Sequence, residues 1–432
     1  MTIVTELELP VFDLTAADLT GEVYHQRLAR LREQGWLAGS PLSYIVLDRE
    51  SGEFFLRNRA TAFPGRQIAE IFGITGGPLW EQIDANILNL TGPDHRRLRS
   101  LVGPAFTPRA ADRWRPAMRG FLERLWHDID PAGTCEFVAA VAKPYPSLTI
   151  AAVLGAPLDD APRLHEWSNW VQRQFDIRAL ANERPRVERA VTEAYDYIET
   201  LLRRRRAGST AGRPSGGADG DADLIDTLLA AEVDGDRLTH AECVNLVMNV
   251  LAGGVDTTQS QLAHGLRLFA EHPEQWALLA ERPELVPRAV DEILRVEPIT
   301  PFTARICVEP IEYRGVTFPA GTIIAVCAER ANREPGAGDG PGDGTGDGNG
   351  DRKGEEFDIT AERDGRLLTF GAGAHYCLGA NLARAELEEA LSFLAPRMPG
   401  LSFAGPPRLG GIEGIYGIEE LPLTWRSVHT AR

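Results

Sequence analysis

One cysteine in this chain is framed differently from the others. Cys377 lies in F-G-A-G-A-H-Y-C-L-G-A-N-L-A-R, residues 370–384, with Gly371, Gly373 and Gly379 around it. Glycine permits backbone angles and close approaches that a Cβ forbids. The loop therefore reads as backbone folded tightly around something flat or bulky, with a thiol at its tip. A helical pattern starts straight after it. The positive end of a helix favours the thiolate, the form of cysteine that ligates metal. Two other readings of a lone cysteine stay open: a small buried apolar residue and a catalytic nucleophile. Cys135, Cys243, Cys307 and Cys327 sit in apolar stretches and read as packing residues. With no C-x-x-C pair, neither a disulfide framework nor a zinc site is indicated.

Three more stretches could carry chemistry. In G-P-D-H-R-R-L-R, residues 92–99, Pro93 and Asp94 suit the first turn of a helix. His95 and Arg99 are four apart and share a face, whereas Arg96 and Arg97 point elsewhere. Read alone, this is an exposed basic helix. A long helix is expected from about Thr239 to His272, capped by Thr239 with Glu242 three residues on. It contains A-G-G-V-D-T-T, residues 252–258. Adjacent glycines inside a helix cost about 1 kcal/mol each relative to alanine, so a close approach or a local distortion is expected there. Asp256 and Thr257 beside it make a proton path, or the glycines mark a helix kink with Asp256 in a salt bridge. Third, Glu292 and Arg295 in D-E-I-L-R are three apart and pair on one helix face.

In this order and spacing the motifs resemble the cytochrome P-450 family, over roughly residue 92 to the end. F-G-x-G-x-H-x-C-x-G followed by L-A-R is similar to the family's haem-binding loop. The resemblance implies that Cys377 ligates the haem iron and that Phe370, Gly371 and His375 contact the cofactor, haem b. It places haem propionates on His95 and Arg99, and on Arg305 of T-A-R. It gives Asp256 and Thr257 the role of the family's acid–alcohol pair in proton delivery, and Glu292 and Arg295 a structural role. Ala252 and Gly253 would line the oxygen and substrate groove. Asn249 lies one to two turns earlier on nearly the same face. Its amide reads as a substrate anchor or as an interhelical hydrogen bond. Ile415 and Tyr416 would sit at the tip of a C-terminal hairpin reaching the pocket.

The implied fold is mostly α with small β-sheets, a single cytochrome P-450 domain over 1–432. The implied activity is haem-thiolate monooxygenation of a small organic substrate, with electrons from a ferredoxin and its ferredoxin reductase. Oxidative coupling, desaturation or peroxide-driven oxidation is the alternative.

The remainder bounds this picture. The formal net charge of −17 argues against a nucleic-acid or anionic-membrane binder. The first twenty residues hold no long apolar run, so neither signal peptide nor membrane anchor is expected, and the location is expected to be cytoplasmic. Arg96, Arg97, Arg109 and Arg113 form a basic cluster that could steer an acidic ferredoxin. Two apolar runs around Gly52, residues 44–57, predict a β-hairpin. Residues 63–90 read as loop with a short helix, and 306–327 as short antiparallel strands. Residues 207–221 and the Gly/Asp repeat at 336–354 read as flexible loops.

Overall fold

The computed structural model describes residues 2–16, 18–129, 132–208, 222–233, 236–334, 354–363 and 366–427. Of the two expected loops, only residues 207, 208 and 354 lie within the described residues. Contacts group the chain into two compact units, each assembled from separated segments. One comprises Met1–Pro64, Arg288–Cys377 and Leu409–Tyr416, and the other Gly65–Pro287, Leu378–Arg408 and Gly417–Arg432.

The first unit holds most of the β-structure. Its five-stranded sheet runs Leu37–Gly39, Tyr44–Val46, Ile323–Cys327, Phe302–Cys307, Thr61–Ala62. Tyr44–Val46 pairs in parallel with the central Ile323–Cys327, and the other pairings are antiparallel. The central strand reads I-I-A-V-C, as expected of a strand covered on both faces. Val46, Phe55, Phe318, Ile324, Val326 and Leu368 share one buried cluster. Burying a side chain of this size contributes about 1.5–3 kcal/mol. The strands Ile311–Tyr313 and Val316–Phe318 join through Arg314 and Gly315, both at positive φ (48° and 78°). That is the backbone of a tight two-residue hairpin. The non-glycine residue is held there by Asp48 and Glu50, each 2.6 Å from the Arg314 guanidinium.

The predicted hairpin at 44–57 does not form. Tyr44–Val46 is a strand, but Arg49–Arg57 is a helix. Asp48 caps it by accepting a hydrogen bond from Ser51 N at 2.7 Å. The glycine that suggested a turn serves packing instead. A Cβ on Gly52 would press on Leu368 and Val326 at 3.0 Å.

His25, on the Gly21–Gln34 helix, bridges two buried acids. Nδ1 lies 2.8 Å from Glu329 and Nε2 3.1 Å from Glu297. Burial alone would lower the His25 pKa. The charge and hydrogen bonds of Glu297 and Glu329 outweigh it and raise the value from 6.5 to about 9. Because the folded value is the higher one, the imidazolium stabilises the fold fully below pH 6.5. That contribution, on the order of 3 kcal/mol, fades as pH rises through about 9. Urea midpoints measured from pH 6 to 10 should fall across this window, and His25→Leu should flatten the decline.

The second unit is largely helical. Tyr145–Leu154 of the Pro144–Leu154 helix is buried on all sides, as befits a helix that is apolar all round. The expected long helix is present in two pieces, His240–Gly254 and Asp256–Glu271, with Val255 between them at φ −104°, ψ −67°. Thr239 and Glu242 form the capping box the sequence predicts. The two glycines before the break have different reasons. A Cβ on Gly254 would collide with Ile150, whereas one on Gly253 would meet nothing within 4 Å. Residues 63–90 are more ordered than expected, with helices Gly65–Ile71 and Pro78–Ala85.

Candidate functional site

In the first unit, Phe370, Gly371, His375 and Cys377 come together in one loop. It opens with the turn Leu368–Phe370 and continues through Gly373–His375. Gly371 and Gly373 have φ of 70° and 72°, a region that favours glycine. At Gly373 a Cβ would also stand 2.8 Å from Leu56 O, so the loop is pressed onto the Arg49–Arg57 helix. Cys377 N donates to Phe370 O at 2.9 Å and closes the loop. Asn332 holds its entrance. The amide donates to Thr369 Oγ1 at 2.8 Å and accepts from Leu368 N at 2.8 Å. Cys377 is exposed, whereas Cys243, Cys307 and Cys327 are buried. Burial pushes the thiols of Cys135 and Cys327 up to about 12 and that of Cys307 to about 11.

Two arginines tie together the segments that precede this loop. Arg295 grips Glu292 through two bonds of 2.7 and 2.8 Å, and also donates to Gly354 O and Glu356 O. Arg333 donates to Val296 O at 2.9 Å. Arg305, on the Phe302–Cys307 strand, is different. It is 3% exposed, and among the described residues its guanidinium donates only to Ala304 O, at 2.9 Å. Burial lowers its pKa to about 10, and no carboxylate among the described residues offsets that.

In the second unit, His95 and Arg99 lie on the Gly92–Val102 helix. His95 is buried, and burial together with the charges of Arg99 and Arg96 lowers its pKa. Arg97 is not the free surface cation expected of it. It donates to Asp236 at 2.5 Å and to Glu242 at 2.7 Å.

Asn249, Ala252, Gly253, Asp256 and Thr257 follow one another across the helix break. Thr257 Oγ1 donates to Gly253 O at 2.5 Å. Asp256 is buried, and this raises its pKa against the lowering effects of Asn169, His165, Arg173 and Lys143. The Asn249 amide donates to Asn245 O within its own helix at 2.6 Å. Tyr416 departs from expectation. It lies in the loop between the paired strands Arg408–Leu409 and Ile418–Glu420, but rather than reaching toward a pocket it is fully buried in the first unit, where its hydroxyl accepts from Gly21 N at 2.7 Å. Ile415 is half-buried.

Two residues near Asp256 and Thr257 escaped the sequence reading. Asn169 donates to Asp256 Oδ1 at 3.2 Å. Glu386 is 1% exposed and lies 3.4 Å from Thr258 Oγ1, its pKa raised far above the carboxylate range by burial. Glu386 did leave a sign in the sequence: an acid on the apolar stripe of Leu382 and Phe393 in the Ala380–Leu394 helix.

The family model for cytochrome P450 matches residues 78–394. The chain belongs to the cytochrome P450 family. Luteothin monooxygenase of Streptomyces thioluteus is 33% identical over 420 residues, covering 96% of each chain. Nocardicin C N-oxygenase of Nocardia uniformis subsp. tsuyamanensis is 35% identical over 350 residues, 79% of each. Among solved structures, CalO2 matches with a TM-score of 0.83 at 28% identity, over 97% of this chain and 100% of its own. P450BioI, solved with an acyl carrier protein ligated to hexadec-9Z-enoic acid, gives 0.79 at 28% identity over 93% and 98%.

This cytochrome P450 is therefore a monooxygenase with haem b as its cofactor, mostly α in fold with small β-sheets. Its residues fit that group. A buried guanidinium without a carboxylate, Arg305, suits an anionic substituent such as a propionate. The positive surroundings of His95 suit another. Cys377 offers the accessible thiol that iron requires. No helix among the described residues is long and apolar enough to cross a membrane.

Proposed function

We propose that Cys377 is the thiolate that would hold the haem iron, that His95, Arg99 and Arg305 would pair with the haem propionates, and that Phe370, Gly371 and His375 would shape the loop against the cofactor. One oxygen atom enters a small organic substrate, with Asp256 and Thr257 delivering protons. The work is done in the cytoplasm, with electrons from a ferredoxin and its reductase. The observation that carries the reading is the glycine-shaped loop presenting the exposed thiol of Cys377. Bound haem supplies the redox chemistry, and the protein supplies orientation and protons. A carboxyl whose pKa is raised by burial sits nearer working pH, where proton transfer is efficient. Thr257 keeps its oxygen lone pairs available, because its proton is committed to Gly253 O. Ala252, Gly253 and Ile415 are proposed substrate contacts. At Asn249 one Nδ2 proton serves the helix backbone, which leaves Oδ1 and the second Nδ2 proton for a substrate.

The test is reconstitution with ferredoxin, reductase and a substrate found by its shift of the Soret band. Thr257→Ala should leave haem content unchanged while diverting most reducing equivalents to peroxide. Product yield per NADPH should fall about tenfold. Wild-type coupling in this variant would remove Thr257 from proton delivery.

Exposed Arg96 and Arg109 remain for ferredoxin docking. Arg96→Glu should raise the apparent KM for ferredoxin severalfold at low salt, with the effect vanishing near 0.5 M salt, where screening is nearly complete (Debye length ~4 Å). An effect independent of salt would count against docking there.

A further inference from the structure

The Ala161–Gln172 helix meets the broken helix through a polar seam within the second unit. Ser168 Oγ donates to Ala252 O at 3.2 Å. Asn169 Nδ2 donates to Asp256 Oδ1 at 3.2 Å. His165 Nε2 lies 2.8 Å from Gln259 Oε1. Residues 165, 168 and 169 share one helix face, and 252, 256 and 259 share the facing one. The seam straddles Val255, so the bend is pinned on both sides. Two of the three bonds end on groups that do not titrate, a backbone carbonyl and an amide. The third ends on a buried carboxylate.

We propose that Asn169 is the positioning residue for proton delivery, its amide fixing the direction and hydrogen-bonded state of the Asp256 carboxylate. This rests on the reading that Asp256 delivers protons. Among the described residues, the charged groups acting on Asp256 are His165 on the seam helix, Arg173 just beyond it, and Lys143 before the Pro144–Leu154 helix. All three act on the carboxylate through charge. Among the described residues, Asn169 is the one whose side chain acts on Asp256 by a direct hydrogen bond, so it can set orientation as well as acidity. His165 and Ser168 dock the helix, which separates docking from positioning.

The experiment compares Asn169→Leu, Asn169→Asp, Ser168→Ala and Asp256→Asn in the haem-loaded enzyme. The first readout is an infrared titration of the resting enzyme, following the carboxyl band that Asp256→Asn removes. The second is the pH profile of turnover with the fraction of electrons lost to peroxide. Asn169→Leu should move the titration midpoint to higher pH, because the ionised form loses a donor. Turnover at neutral pH should fall five- to tenfold, an order typical of a disturbed proton donor. The near-isosteric Asn169→Asp should move the midpoint further the same way, since a second carboxylate opposes ionisation. Ser168→Ala should leave the midpoint in place. An unmoved midpoint in both Asn169 variants, or an equal shift in Ser168→Ala, overturns the proposal. If Asp256→Asn keeps wild-type turnover and coupling, proton delivery by Asp256 itself fails, and the proposal fails with it. The infrared titration of the Asn169 variants then still reports whether the bond exists, so the two failures are told apart.

Discussion

Cys377→Ala should abolish the red-shifted Soret band of the reduced, carbon monoxide-bound protein, and turnover should drop at least a thousandfold. A thiolate is the ligand that gives this class of haem its reactivity. None of the other cysteines can take over. Burial raises the pKa of each of them, so the thiolate is disfavoured at all four. The variant should fold, because Cys377 is exposed and its backbone N–H to Phe370 O bond does not need the side chain. Retention of the band by folded Cys377→Ala would show that another residue ligates the iron.

The second large effect is on stability. Glu292 accepts from Arg295, from Arg363 at 3.1 and 3.2 Å, and from Asp358 N at 2.9 Å. Removing one partner of a buried pair costs about 3–5 kcal/mol, because the other charge is stranded. Against a typical total of 5–15 kcal/mol, Glu292→Leu should yield little folded protein. Replacing both Glu292 and Arg295 with Leu should recover part of the loss. Equal melting temperatures for wild type and Glu292→Leu would contradict this. The pair also has an acid limb. Burial would raise the Glu292 pKa, but Arg295, Asp358 N and Arg363 together hold it below 4.5. Its stabilisation is therefore complete above pH 4.5 and is lost as pH falls through the lower, folded value. Acid unfolding of Glu292→Gln should lack this component.

What the sequence disclosed was what neighbouring residues decide. The cysteine loop, the Thr239–Glu242 cap and the break at Val255 all follow from glycines, caps and spacing within a few turns. The error at 44–57 is also local. Gly52 and its neighbours carry both a turn signal and a helix signal, and burial against Leu368 and Val326 decided for the helix. The Tyr416 error is of another kind. Its partner, Gly21, is 395 residues away, and nothing near either residue announces the contact. Asn169 was silent for the same reason. One amide among W-S-N-W looks like any residue on a helix surface until Asp256, 87 residues later, is placed beside it.

The parallel pairing of Tyr44–Val46 with Ile324–Val326 bears on how the chain is made. A strand finished early in synthesis must wait for about 280 further residues before its neighbour exists. At a translation rate of 5–20 residues per second this is roughly 15–60 seconds. Throughout that time the edge of Tyr44–Val46 that faces away from Leu37–Gly39 stays open, and Phe55 lacks its Phe318 contact. The long run Gly65–Pro287, by contrast, emerges unbroken. Helix pairing can begin there while the first sixty residues are still without the central strand of their sheet. The nascent chain is thus most prone to wrong strand pairing near its beginning, and slower growth or a holding chaperone during this interval would protect it.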